Sequence, residues 1–185
     1  MAQLVTFTVD GVKRPGALKN DRVLDLQDAG LPVGEHGDLM AIAQGGSTTL
    51  NQVNAAIAEW SAPDYAIDAI KLDAPIQRPP KVIGIGLNYL DHCREANMAV
   101  PTVPVIFTKY STSVTGPYDD VHWYEDICHD MDYEVELGVV IGKQTSRVSE
   151  EEAMDCVLGY TVVNDVSARD LQLGGAGQWD FGKSL

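Results

Sequence analysis

The segment Asp132-Tyr133-Glu134-Val135-Glu136-Leu137-Gly138-Val139-Val140-Ile141-Gly142 sets two carboxylates two residues apart in an otherwise apolar, strand-like run. Side chains alternate along a strand, so Glu134 and Glu136 are expected on one face. Two like charges at that separation repel when partly buried, and a cation between them relieves the repulsion. The pair reads as half of a metal site, or as the solvated acidic face of an edge strand, and this segment alone does not separate the two.

Asp165 follows the apolar run 158–164, which reads as a buried strand, and precedes residues 167–172, which read as a helix. That place suits a third oxygen ligand and equally suits a helix N-cap. Three carboxylates with few sulfur or imidazole neighbours favour a hard cation, magnesium first, with manganese or calcium behind. Upstream, residues 81–87 read as a strand carrying Gly84-x-Gly86, and the helix after it places His92 and Glu95 three apart on one face. A carboxylate accepting from one ring nitrogen would orient the imidazole and leave the other nitrogen to take a proton from water. The plain alternative is a surface histidine with a helical neighbour. Gly84-x-Gly86 lacks the third glycine of a dinucleotide fingerprint, so a nucleotide site is disfavoured. Arg169, one helical turn past Asp165, faces either an anionic substrate group or solvent, and Lys183, after Trp179-Asp180-Phe181-Gly182, either holds an oxyanion or lies on the surface.

The elements that must position these residues fall into two parts. In the first, residues 4–9 alternate as a strand, Asp10-Gly11 is a hairpin-turn signal, and 23–26 reads as another short strand. Helices are expected over 36–43 and 48–60, the second with Leu50, Val53, Ala56, Ile57 and Trp60 at helical spacing. The proline-rich run 75–80 can continue neither a sheet nor a helix interior. It is read as a linker between a small N-terminal domain, 1–74, and a second domain, 81–185.

The 185 residues suffice for a sizeable core, and a net charge of -14 argues against nucleic-acid or anionic-membrane partners, which need clustered Lys and Arg. Cys93, Cys128 and Cys156 are odd in number and lack Cys-x-x-Cys spacing, so they are expected as buried free thiols. Asp10, Lys13 and Arg14 interrupt any leader-like apolar run, and no apolar stretch approaches membrane-spanning length. A cytoplasmic location is expected. His36 lies in a polar segment and is expected as an exposed loop residue, as are His122 and His129, whose spacing fits no standard metal motif.

Taken together and in order, GIGLNYLDHCRE, FTKYSTSVTGP, DYEVELGVVIGK, NDVSARDLQ and WDFGKS resemble the fumarylacetoacetate hydrolase family, from about residue 81 to the last residue. The resemblance implies an α+β architecture: a mixed β-roll catalytic domain of that type behind a small N-terminal α+β domain. It implies a divalent-metal site, with magnesium or manganese and calcium as a further option, that cleaves, decarboxylates or tautomerises small 2-keto or 1,3-diketo acids. Matched by motif, Glu134, Glu136 and Asp165 correspond to the metal ligands, His92 and Glu95 to the water-activating pair, and Lys183 to the lysine near the reacting oxygen. Arg169 and Gln172 correspond to substrate-facing residues, and Tyr89 is counted with them. The leading expectation is a hydrolase that breaks a C-C bond in an acylpyruvate-like acid. The alternatives are a decarboxylase, a tautomerase or isomerase, a lyase, or an inactive metal-binding or assembly-forming relative. A homodimer is expected.

The chain departs from the family pattern in three places. Tyr110 replaces the usual proline after Lys109, and Tyr118 the usual glycine after Gly116-Pro117. Relatives also continue well past the lysine motif, so the catalytic domain is expected to be incomplete on its C-terminal side.

Overall fold

The computed structural model of the chain describes residues 3–61, 64–175 and 177–184. It forms two compact units, Met1–Arg78 with Val114–Asp120 and Glu136–Val163, and Pro79–Ser113 with Val121–Val135 and Asn164–Leu185.

In the first unit the alternating N-terminal run is β1 (Gln3–Val9), and Asp10 and Gly11, with φ of 49° and 75°, turn the chain into β2 (Val12–Lys19). A two-residue hairpin turn needs two positive φ angles, and Asp-Gly supplies them at low cost. The same device recurs at Asn20-Asp21, φ 51° and 61°, before β3 (Arg22–Asp25). Then come α1 (Met40–Gln44), α2 (Gly46–Glu59), β4 (Tyr65–Ala66) and β5 (Lys71–Asp73). The five strands pair antiparallel in the order β4-β3-β2-β1-β5.

The helix expected over 36–43 begins only at Met40, because the buried Asp38 carboxylate accepts the N–H groups of Met40 (3.1 Å) and Gln77 (2.7 Å) and fixes a turn there. The helical spacing of α2 has its use in the core. Leu50, Ala56, Ile57 and Trp60 pack on a buried cluster of Ala17, Leu24, Leu26, Leu39, Ile42 and Val53. Gly16 lets β2 pass this crowd: a Cβ there would stand 2.7 Å from Val23 and 2.8 Å from Phe7.

Beyond the proline-rich segment, which forms no regular element, lie β6 (Val82–Gly86), α3 (Leu90–Glu95), β7 (Val105–Lys109), β8 (Met131–Asp132) and β9 (Val135–Ile141). They are followed by α4 (Glu150–Ala153), β10 (Val157–Asn164), β11 (Ser167–Ala168), α5 (Arg169–Leu173) and α6 (Asp180–Lys183). β6 pairs antiparallel with β7, β8 antiparallel with β11, and β9 with β10.

Two local expectations are corrected. Glu134 does not lie inside a strand, because Tyr133 and Glu134 interrupt the run between β8 and β9. The break is made by bonds from elsewhere: the Glu134 N–H donates to the Asn164 side chain (3.3 Å) and its carbonyl accepts the Asp165 N–H (2.9 Å). Residues 167–172 are also not one helix. Ser167 and Ala168 pair with Asp132 and Met131, and the helix starts at Arg169, so Asp165 stands ahead of a strand and caps no helix.

Candidate functional site

The second unit draws a set of charged side chains together from short elements. β7 ends in Lys109, β8 in Asp132, Glu134 follows β8, and Asp165 lies between Asn164 and β11. Arg169 opens α5 and Lys183 closes α6. A bond between main-chain groups, Asp165 N–H to the Glu134 carbonyl, sets the two acidic side chains next to one another.

The ammonium of Lys183 lies where these carboxylates converge. Its Nζ is 2.8 Å from Glu134 Oε2, 3.0 Å from Asp165 Oδ2 and 2.7 Å from Ser167 Oγ, and 5.0 Å from the centre of the Phe107 ring. The three N–H donors of the ammonium thus each have an oxygen. The side chain is only 2% exposed. Lys109 Nζ bonds the other oxygen of Asp165, Oδ1, at 2.7 Å and the Val166 carbonyl at 3.0 Å. Arg169 Nη2 reaches Glu134 Oε1 at 2.6 Å and Asp132 Oδ2 at 2.8 Å, while its Nη1 donates to Gln172 Oε1 at 2.9 Å. Both oxygens of Glu134 and both of Asp165 therefore face a cation. Asp132, Glu134 and Asp165 balance Lys109, Arg169 and Lys183 in formal charge, which is how so many ions share a buried place.

The proton affinities follow from this packing. Burial pulls the Lys109 ammonium below its ordinary range, against the opposing pull of its bond to Asp165. Burial also disfavours the Arg169 guanidinium, but its bonds to Asp132 and Glu134 outweigh that and hold it above its ordinary value. The same Arg169 bond keeps the Asp132 carboxyl below the usual carboxylate range.

Helix α6 is held against β7 by side chains. Asp180 Oδ1 accepts the Thr108 N–H at 2.9 Å and Ser184 Oγ accepts the Tyr110 N–H at 3.0 Å. Thr108 belongs to β7, where its amide is turned away from β6, and Tyr110 directly follows the strand. Gly182 allows the close seating of α6, since a Cβ there would stand 2.6 Å from the Ala168 carbonyl oxygen. Trp179, just before α6, packs on Phe107 with ring centres 5.7 Å apart.

Of the residues singled out by sequence, Glu134, Asp165, Lys183, Arg169 and Gln172 come together in this unit, with Gln172 buried. Glu136 belongs to the first unit, where it is half-buried on β9 and has a partner. His92 and Glu95 are both exposed on α3, and among the described residues no hydrogen bond joins them; Tyr89, just ahead of that helix, is 46% exposed. His36, His122 and His129 are exposed, and the three cysteines are buried and free, as expected. Sequence reasoning missed Lys109, Asp132 and Ser167 as members of the cluster. All three stood inside quoted motifs, but nothing in their spacing marked them. An open cavity of about 490 Å³ is lined by Tyr110, Leu171, Gly175, Gln178, Asp180, Phe181 and Ser184, and none of the paired carboxylates lines it.

Among the described residues, no three or more His, Cys, Asp or Glu side chains gather as a metal site requires. The chemistry of the donors nonetheless suits a hard cation: Glu134 and Asp165 offer oxygen alone, and both reach one point that already holds a positive charge. No helix among the described residues is long and apolar enough to cross a membrane.

Comparisons with known proteins agree on one lineage. The oxaloacetate tautomerase fahd2, mitochondrial, of Xenopus laevis is 50% identical over 117 residues, 63% of this chain and 36% of that protein. The crystal structure of a putative HpcE protein from Mycobacterium smegmatis superposes with a TM-score of 0.78 at 31% identity, over 97% of this chain and 61% of that one. The fumarylacetoacetate hydrolase of the psychrophile Exiguobacterium antarcticum gives a TM-score of 0.74 at 30% identity, over 100% and 62%. The chain thus has the α+β fold of these proteins and spans between about a third and three-fifths of their length. The family model described as Fumarylacetoacetate (FAA) hydrolase C-terminal matches residues 81–185, more than half of the sequence, and the chain belongs to the fumarylacetoacetate hydrolase family.

Proposed function

We propose that this chain carries a keto-acid site that interconverts the keto and enol forms of a small 2-keto acid of the oxaloacetate type. The observation that carries the reading is the buried cluster in which Lys183, Lys109 and Arg169 meet Glu134 and Asp165. Enolisation makes negative charge on an oxygen, and preorganised cations in a water-poor place stabilise that charge most. The name of the Xenopus relative, an oxaloacetate tautomerase, supports the same chemistry.

Glu134 and Asp165 would hold a divalent cation, magnesium or manganese, and Glu136 enters the proposal on the motif DYEVELGVVIGK. When bound, such an ion supplies Lewis-acid polarisation of a keto oxygen. The other roles belong to side chains. Arg169, whose guanidinium is held by Asp132, Glu134 and Gln172, would take a substrate carboxylate by exchanging one of these partners for it. Lys183 offers N–H donors to the oxygen on which enolate charge develops. His92, with Glu95 three residues on, is the base proposed to take the proton from the carbon beside the keto group and to return it.

Hydrolysis of a C-C bond is the second reading, favoured by the His92-x-x-Glu95 spacing that suits activation of water. Its requirement for an oriented base is the heavier one, and both residues stand exposed and unjoined on α3. The deciding experiment follows the decay of oxaloacetate enol in the presence of the purified chain, with magnesium or manganese, then with a chelator, then with metal restored. Acylpyruvate cleavage is measured alongside. Metal-dependent ketonisation above the buffer rate, lost in Glu134→Gln, is expected. Enol decay at the buffer rate in every arm would overturn the reading.

A further inference from the structure

The Arg169 guanidinium carries five N–H donors in one plane, and its neighbours hold it unequally. Asp132 Oδ2 accepts from Nε at 3.0 Å and from Nη2 at 2.8 Å, whereas Glu134 meets Nη2 alone and Gln172 meets Nη1 alone. Nε and Nη2 form one edge of the group, and Asp132 occupies that edge. The end-on edge, Nη1 and Nη2, is held by single contacts from two different residues, one of them neutral. Asp132 is itself fixed. Its other oxygen, Oδ1, accepts the Tyr133 N–H at 2.8 Å, and its main chain pairs with Ser167 across β8 and β11. The Asp130 carbonyl, two residues earlier, accepts the Arg169 N–H at 2.8 Å. The segment 130–132 thus grips Arg169 at both ends, main chain and guanidinium.

We propose that Asp132 is a positioning residue of the site: it keeps the side edge of Arg169 while a substrate carboxylate takes the end-on edge, displacing Glu134 or Gln172 and not Asp132. The inference rests on the tautomerase reading proposed above. A rigid planar group held at two of its nitrogens has the third aimed as well, so this anchor sets the direction in which the fork meets its ligand. Displacing Asp132 would break two charge-assisted bonds, and displacing either of the others breaks one. The carboxylate of a keto acid keeps its charge through enolisation. A grip on it therefore acts equally in the bound ground state and the transition state, and its loss is read in KM and not in kcat.

Enol-decay kinetics of oxaloacetate with the wild-type chain, Asp132→Asn, Asp132→Ala and Arg169→Gln test the assignment. The Asp132 side chain is 45% exposed, so neither replacement opens the core. Asp132→Asn keeps the shape and removes the charge, and should raise KM by about tenfold, the scale of one charge-assisted bond, with kcat within about twofold of wild type. Asp132→Ala should raise KM at least as far, and provides a second test should the Asn variant fold poorly. A purely structural role would instead lower kcat by shrinking the active fraction and leave KM in place. Because Asp132 acts through Arg169, adding Asp132→Asn to Arg169→Gln should lower kcat/KM by less than about a further twofold. An unchanged KM in both Asp132 variants, a loss confined to kcat, or effects that multiply in the double variant overturns the positioning role while the tautomerase reading stands. Wild-type decay at the buffer rate overturns both.

Discussion

Asp165→Asn is the most searching perturbation of the cluster. Asp165 is 6% exposed and holds one ammonium on each oxygen, Lys109 at 2.7 Å and Lys183 at 3.0 Å. The amide removes one negative charge while leaving three cations beside Asp132 and Glu134. Removing one partner of a buried pair costs about 3–5 kcal/mol; Asn still accepts one bond and Glu134 still holds Lys183, so the expected loss is about 2–4 kcal/mol. Because Lys109 is already pushed toward its neutral form by burial, it should shed its proton more readily in the variant, which places the loss toward the lower end. The assay is urea unfolding followed by tryptophan fluorescence, with Trp179 beside Phe107 as a reporter in this unit. The double variant Asp165→Asn with Lys109→Met removes an orphaned ammonium as well, and should be less destabilised than the two single losses summed. A loss below about 0.5 kcal/mol, or strict additivity in the cycle, would refute the claim that these ions are held by one another.

Other expectations follow from separate features. Gly16→Val drives a branched side chain into Val23 and Phe7, and should cost about 1–3 kcal/mol of overpacking, read as a lower urea midpoint; an unchanged midpoint would show that β2 yields there. The bonds to Asp119 from Lys71, the Gly116 N–H and Thr115 lower its carboxyl to about 2 from the ordinary 3.8. A depressed folded value means stability that is present above the unfolded value and lost as pH falls through the folded one. The stability gap between wild type and Asp119→Asn should therefore be open at pH 6 and close between about pH 4 and 2, and a gap independent of pH would contradict the assignment. Asp180→Ala should speed hydrogen exchange at Thr108 while leaving amides of β1 and β2 unchanged, and uniform exchange across both would mean that α6 does not hold that edge.

Local chemistry was readable where local chemistry decides. Asp10-Gly11 announced its turn because two positive φ angles are needed there, and α2 was legible because one face packs on a core. The interruption at Tyr133-Glu134 was not, since apolar and acidic residues alternate straight through it. Its cause lies some 30 residues away, in the Asn164 side chain and the Asp165 N–H. The motifs pointed to Glu134, Asp165, Arg169, Gln172 and Lys183, which the fold brings into one unit. Lys109 and Asp132 carried no mark of their own, because a single charged residue gains meaning only from partners that the fold supplies. Similarly, no pattern of hydropathy reveals that 114–120 and 136–163 pack with the N-terminal unit.

The seating of α6 on β7 also bears on how this protein fails. Outward-facing amides of an edge strand are the template on which a foreign strand can add. Here Asp180 takes up one such amide, that of Thr108, Ser184 takes up the amide of Tyr110 just past the strand, and the same four-residue helix carries Lys183 into the charge cluster. Lifting α6 therefore unmasks a strand edge and deprives Glu134 and Asp165 of their shared cation at one stroke. Loss of the site and the onset of self-association should share a single opening event, so a ligand that holds the cluster together is also a guard against aggregation.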